Sequence, residues 1–376
     1  MAVAASQIKI PGELLPSDGR FGSGPSKVRV ESVESLLGVA KTYLGTSHRQ
    51  KTVKDVVGRL RVGLKDLFSL PDGYEVILGN GGATYFWDAA TFSLIERRSL
   101  HLSFGEFSSK FAQAAEAAPH IESPVVIKSE TGSHPVAVAQ DGIDAYALTH
   151  NETSTGVSMP IERPTGSEGL VLVDGTSGAG GLRVDPNEFD CYYFSPQKCF
   201  ASDGGLYVAL VSPAAADRIK RISASGRWIP ASMDLAVTLE NSLLDQTYNT
   251  PALATIHMFL SQLEWMLENG GLEFAASRSD ASAENLYGWA EKSDYATPYV
   301  SDPAMRSHVV GTIDFDPSVD HAQVAKVLRA NGIVDVEPYR KLGRNQLRIA
   351  MFPAIDPDDV QALTECIDFV VSAISE

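Results

Sequence analysis

The stretch LVLVDGTSGAGGLRVDPNEFDCYYFSPQKCFASDGG, residues 170–205, holds two short apolar runs, at 170–173 and 191–194, separated by a glycine-rich connection. Unbroken apolar runs of this length suit strands buried on both faces, and such strands belong to parallel sheets covered by helices. Outward from this stretch the same kind of run recurs in YEVILG (74–79), LHLSF (100–104), VVI (125–127), AYALTH (145–150) and GLYVALVS (205–212). Helical candidates such as VKDVVGRLRVGLKDLF (53–68) and ATYFWDAATFSLIE (83–96) lie between them. The alternation predicts an α/β fold built on a large, doubly wound, mostly parallel sheet that reaches to about residue 250.

Apolar spacing of three and four residues in ALATIHMFLSQLEWMLENGG (252–271), closed by Asn-Gly-Gly, predicts a long helix leading out of that unit. SAENLYGWAEKS (282–293), HVVGTIDFD (308–316), DHAQVAKVLRANG (320–332), LRIAMF (347–352) and DPDDVQALTECIDFVVSAI (356–374) then read as helix, strand, helix, strand and terminal helix. The expected division is a large domain over residues 1–270, N-terminal segment included, and a small C-terminal α+β domain over 271–376.

Composition narrows the function. The chain has 376 residues, 31 Lys and Arg against 47 Asp and Glu, and a formal charge of −16, so a polyanion is repelled and nucleic acid is not an expected partner. An anionic small substrate must instead be met by a local arginine cluster. No run approaches the roughly 20 apolar residues of a membrane helix, and residues 1–10 do not read as a signal peptide, so the cytoplasm is the expected setting. Cys191, Cys199 and Cys366 form no C-x-x-C pair, and no histidine stands in an H-E-x-x-H pattern, so neither a disulfide framework nor a metal is expected.

In open α/β sheets ligands gather at the carboxyl ends of strands. Asp174 closes one run, Lys198 follows CYYFSPQ, and the glycines of GNGGATYF (79–86) follow another. Singly, each is equally a turn residue, a helix cap or a solvated lysine. The glycine segment lacks both G-x-G-x-x-G and G-x-x-x-x-G-K-[ST], yet a helix beginning near Ala83 and Thr84 offers free N–H groups to a phosphate. Lys198 stands alone in an uncharged stretch where desolvation lowers its pKa and frees the amine to attack a carbonyl. Asp174 is the natural partner for a protonated pyridine nitrogen, which makes the ring an electron sink.

The Asp174-to-Lys198 spacing, with SPQKCF around the lysine, resembles the cofactor segment of fold type I pyridoxal-phosphate enzymes, and four further segments resemble the phosphoserine aminotransferase family. They are FGSGPSKV (21–28), GTSHR (45–49), HNETSTGV (150–157) and TYNTP (247–251), in the family's order and spread over most of the chain. The resemblance implies pyridoxal 5'-phosphate as cofactor, Lys198 in Schiff-base linkage to it and Asp174 on its pyridinium nitrogen. It further implies that Gln197 and Thr153 bond cofactor oxygens, that Ala83 and Thr84 form a phosphate cup, and that Asn249 and Thr250 reach the phosphate from the partner of a homodimer. Where many relatives stack a tryptophan on the ring, GEFSS (105–109) offers Phe107, and stacking needs only an aromatic face.

For substrate, His48 and Arg49 match the family's phosphate and side-chain carboxylate contacts, and Arg348 matches its carboxylate-binding arginine. Some relatives carry an arginine where this chain has Ala83; Arg340, Lys341 or Arg344 are the candidates to replace it. The implied reaction moves the amino group of L-glutamate to 3-phosphohydroxypyruvate, giving 3-phospho-L-serine and 2-oxoglutarate. Rivals of the same fold type are alanine–glyoxylate or serine–pyruvate aminotransferases and cysteine desulfurases; a rival of another class is a non-catalytic binding protein that kept the fold. Desulfurases need a cysteine on a mobile loop, whereas Cys191 reads as strand and Cys366 as helix.

Overall fold

The computed structural model describes residues 8–375. Residues 1–7, on which most of the signal-peptide reading falls, lie outside the described residues. The first elements are α1 (Val30–Tyr43), α2 (Lys51–Leu67), β1 (Glu75–Asn80), α3 (Ala83–Ser93), β2 (Ser99–Ser103), α4 (Glu106–Ala117), β3 (Val125–Lys128) and β4 (Ala145–Thr149). A small hairpin of β5 (Asn151–Glu152) and β6 (Val157–Ser158) follows, then β7 (Leu170–Asp174), β8 (Cys191–Phe194), β9 (Leu206–Val211), α5 (Pro213–Ser223), α6 (Leu235–Leu243) and α7 (Leu253–Glu268). The rest comprises α8 (Gly271–Ala290), β10 (Ala296–Pro298), β11 (Val310–Phe315), α9 (His321–Ala330), β12 (Gln346–Ala350) and α10 (Pro357–Ser375).

Seven strands form one sheet in the order β1-β9-β8-β7-β4-β2-β3. Only β9 runs against the others, pairing antiparallel with both β1 and β8. Both faces are covered, as the unbroken apolar runs require. Along β8, Tyr192 and Phe194 join the core cluster that holds α2 and α7, while Cys191 and Tyr193 join the one that holds α3, α5 and α6. Because β1, β4, β7 and β8 run in one direction, their carboxyl ends bring the start of α3, the 150–153 segment, Asp174 and the loop bearing Lys198 to the same edge. This is where ligands bind in such sheets.

A second, three-stranded antiparallel sheet, β10-β11-β12, is backed by α8 and α9, with α10 packed on both helices. The N-terminal segment departs from expectation. Ile8, Ile10 and Phe21 pack in the cluster of these C-terminal elements, Phe21 N–H donates to Val334 O at 3.2 Å, and Ser17 Oγ donates to the Asp359 carboxylate at 2.7 Å. Apolar burial in the small unit outweighs chain proximity to the large one. Among the described residues no helix is long and apolar enough to cross a membrane.

Candidate active site

Lys198 sits in the turn after β8, enclosed deep in the protein and only partly exposed. Its Nζ donates to the carbonyl of Ser23, so the FGSGPSKV segment crosses directly over it. Ser26 fastens that crossing: its Oγ donates to Lys198 O at 2.7 Å and its N–H to Gln197 O at 3.0 Å. Gly24 has φ +137 and a Cβ there would overlap the Lys198 Nζ, so only glycine fits. Burial, followed by the charge of Arg348, pushes the Lys198 ammonium down to about 8. Cys199 and Asp174 pull the other way.

Asp174 ends β7 at 4% exposure. Oδ1 accepts the Thr176 N–H at 2.9 Å and Oδ2 accepts the indole N–H of Trp87 at 3.1 Å. No cation lies within ion-pair distance of it among the described residues. Burial raises its pKa while those donors lower it. A buried carboxylate held by neutral donors and lacking a counter-charge is suited to a cationic ring nitrogen.

Arg348, in the middle of β12, mirrors this on the cationic side. Its Nη1 donates to Thr153 O at 3.2 Å, its guanidinium lies 5.4 Å from the centre of the Tyr339 ring, and its Nε is buried without a partner. It has no acidic partner among the described residues, and burial lowers its pKa. A buried arginine with an unused N–H is built to take an anion, and a carboxylate suits the fork.

Four more expected residues, Thr153, Gln197, Ala83 and Thr84, stand at this edge. The Thr153 hydroxyl donates to Ser177 Oγ at 2.7 Å, and Gln197 Oε1 is buried without a partner. α3 begins at Ala83 after Gly82, whose side-chain-free cap leaves the first-turn N–H groups open. The Ala83 N–H is already taken, donating to Ser195 Oγ at 3.0 Å. The Thr84 N–H has no acceptor one turn behind it.

Phe107 opens α4 with its ring 6.0 Å from that of Tyr339. It is held by Glu152, whose fully buried carboxylate accepts from Phe107 N–H at 3.1 Å, Ser108 N–H at 2.9 Å, Ser108 Oγ at 2.9 Å and Ser154 Oγ at 2.7 Å. Glu152 thus caps α4 from a distant segment, since Gly105 has no side chain for the task. Sequence reasoning passed over Glu152, Trp87 and Tyr339. The Glu of N-E-T was the one available signal.

His48, Arg49, Asn249 and Thr250 form a separate group. His48 Nδ1 and Thr250 Oγ1 lie 3.3 Å apart, Thr250 O accepts from Asn80 Nδ2 at 2.9 Å, and no hydrogen bond joins any of the four to Lys198, Asp174 or Arg348. Arg49, Asn249 and Thr250 are exposed, and Arg49 lines a groove of about 730 Å³ with Lys51, Lys54 and Arg59. Of the candidates to replace a missing arginine, Lys341 pairs with Glu106 at 2.5 Å and Arg344 with Asp314. Arg340 has no ion-pair partner among the described residues and borders a groove of about 940 Å³ against α9, which does not include Lys198.

The aminotransferase class-V family matches residues 29–336. A phosphoserine aminotransferase of Nocardioides sp. is 62% identical over 367 residues, covering 97% of this chain and 98% of the relative. The crystal structure of a phosphoserine aminotransferase from Cytophaga hutchinsonii superposes with a TM-score of 0.87 at 24% identity, over 93% of this chain and 99% of that one. A phosphoserine aminotransferase of Trichomonas vaginalis, solved with pyridoxal phosphate bound, gives 0.80 at 18% identity, over 93% and 99%. Its fold, the match over most of its length and this degree of identity together show that the chain belongs to the aminotransferase class-V family, among the phosphoserine aminotransferases.

Proposed function

We propose that the protein transfers the amino group of L-glutamate to 3-phosphohydroxypyruvate with pyridoxal 5'-phosphate as cofactor, as a cytoplasmic homodimer. The observation that carries this reading is the triple of Lys198, Asp174 and Arg348: a depressed amine that feels both a buried carboxylate and a largely buried guanidinium, neither with a counter-ion among the described residues. When bound, the cofactor supplies a carbonyl carbon for amines to condense with and a ring that accepts electrons. Lys198 holds it and, once displaced by a substrate amine, moves the proton taken from the substrate α-carbon. Asp174 keeps the ring nitrogen charged, Phe107 covers one ring face, and Thr153 and Gln197 bond cofactor oxygens. Thr84, with the start of α3, receives the phosphate.

Arg348 orients the α-carboxylate. His48 and Arg49, with Asn249 and Thr250, act in the site of the second subunit. Exposed apolar residues on α1 (Val30, Val33 and Leu37), just before TYNTP (Leu243 and Leu244) and within it (Tyr248) support a dimer through this region, because a monomer has no use for exposed apolar surface of this kind. Arg340 is the cation left to meet the substrate phosphate. The desulfurase alternative is disfavoured because all three cysteines are buried and burial raises every thiol pKa. Purified protein assayed with glutamate and 3-phosphohydroxypyruvate, against pyruvate and glyoxylate, tests the reading. Faster turnover of pyruvate or glyoxylate would replace it with a serine–pyruvate or alanine–glyoxylate activity.

A further inference from the structure

Among the described residues Asp174 is served by only one side-chain N–H, and it comes from a residue that the reaction does not otherwise need. The indole of Trp87 on α3 donates to Oδ2 at 3.1 Å, while the Thr176 N–H serves Oδ1. The wall behind the carboxylate is otherwise aromatic and uncharged. Trp87 stacks on Phe111 at 6.4 Å and 15°, and Phe111 meets Tyr193 and His101 edge-on. Burial drives the His101 imidazole down to about 3, so it is neutral, and the phenols of Tyr192 and Tyr193 stay protonated. The Tyr193 hydroxyl lies near enough to Asp174 to help lower its pKa but does not reach hydrogen-bond geometry, so the indole is the side-chain donor with a well-formed bond.

The first turns of α3 lie at the same strand ends as the proposed phosphate cup, so one helix reaches both ends of the proposed cofactor. Thr84 stands at the phosphate end, and Trp87, three residues on, lies beside the ring-nitrogen partner. A carboxylate at the end of a strand can swing about its Cβ–Cγ bond. The indole N–H fixes Oδ2 and the Thr176 N–H fixes Oδ1, so the carboxylate is held at both oxygens and each keeps lone-pair capacity for one more donor.

We infer that Trp87 is a positioning residue for the cofactor, acting through Asp174. Its indole N–H holds the carboxylate in the orientation that a pyridinium nitrogen requires. This rests on the reading of the Lys198 site as a pyridoxal-phosphate site. A hydrogen bond to a charged group in a buried place carries enough energy for a loss of about tenfold or more in affinity.

The test is a titration of the cofactor-free protein with pyridoxal 5'-phosphate, followed by absorbance, in the wild type, Trp87→Phe, Asp174→Asn and the double variant. Trp87→Phe keeps the aromatic stack and removes only the N–H and one ring. Expected are a Kd raised about tenfold or more in Trp87→Phe, and no further rise when Trp87→Phe is added to Asp174→Asn. A Kd equal to wild type, or the same fold-loss in the Asp174→Asn background, would overturn the inference, since a packing role does not depend on the carboxylate. If Trp87→Phe fails to fold, the indole ¹⁵N–¹H resonance of Trp87 decides. It must shift in Asp174→Asn, and an unmoved resonance refutes the contact. Wild-type protein that binds no pyridoxal 5'-phosphate at all would instead strike the functional reading itself.

Discussion

Replacing Arg348 with Gln should make Lys198 a more ordinary lysine. The Lys198 ammonium is held at about 8, against 10.5 for an unperturbed one, first by burial and second by the Arg348 charge. At pH 7 the depressed value leaves about 9% of the amine free, roughly 300-fold more than an unperturbed lysine would. Removing a like charge favours the protonated form, so the midpoint must rise. Because burial is the larger cause, the rise should stay within about one pH unit, and at pH 7 the free amine should fall by up to roughly tenfold. The assay is the rate at which cofactor-free protein condenses with pyridoxal 5'-phosphate, measured from pH 6 to 10 by stopped-flow absorbance. Wild type should bend near pH 8, Arg348→Gln at higher pH, and Arg348→Lys, which keeps the charge, close to wild type. A midpoint for Arg348→Gln that is unchanged or lower would refute the electrostatic argument.

Gly24→Ala should cost about 1–3 kcal/mol in chemical denaturation and weaken cofactor retention, since it forces a positive φ on alanine and a Cβ onto Lys198; wild-type stability and cofactor content would show that the N-terminal crossing is not as tight as described. Arg49→Ala should raise KM for both the phosphorylated and the glutamate substrate by roughly 10- to 100-fold, with Arg49→Lys recovering only part because an ammonium cannot present the fork. Unchanged KM values would remove Arg49 from the site. Mixing Lys198→Ala subunits with subunits carrying both Asn249→Ala and Thr250→Ala should restore activity toward half of wild type, because a shared site concentrates every defect in one of the heterodimer's two sites. No recovery in heterodimers confirmed by mass would place Asn249 and Thr250 in the site of their own chain.

The sheet was legible because its strands are buried on both faces, so composition alone marks them: every residue of β7, β8 and β9 is buried. Pairing direction leaves no such mark, and nothing in GLYVALVS tells that β9 runs against its neighbours. α1 escaped the reading because Val30, Val33 and Leu37 face outward, so its apolar residues do not describe a face against this chain's own core. The attachment of residues 8–21 to the small unit is a contact across more than 300 residues, which local pattern does not encode. Lys198, Asp174 and Arg348 could be named from spacing and resemblance. What fixes them could not, since Trp87 and Asp174 are 87 residues apart, Glu152 and Ser108 are 44 apart, and neither pair belongs to a periodic pattern.

The central claim, that Lys198 is the lysine that holds pyridoxal 5'-phosphate, is tested most directly by borohydride reduction of the loaded protein followed by peptide mass spectrometry. The account predicts a single phosphopyridoxyl adduct, on Lys198 within SPQKCF, and no adduct in Lys198→Ala. An adduct on another lysine, or one that persists in Lys198→Ala, would contradict it.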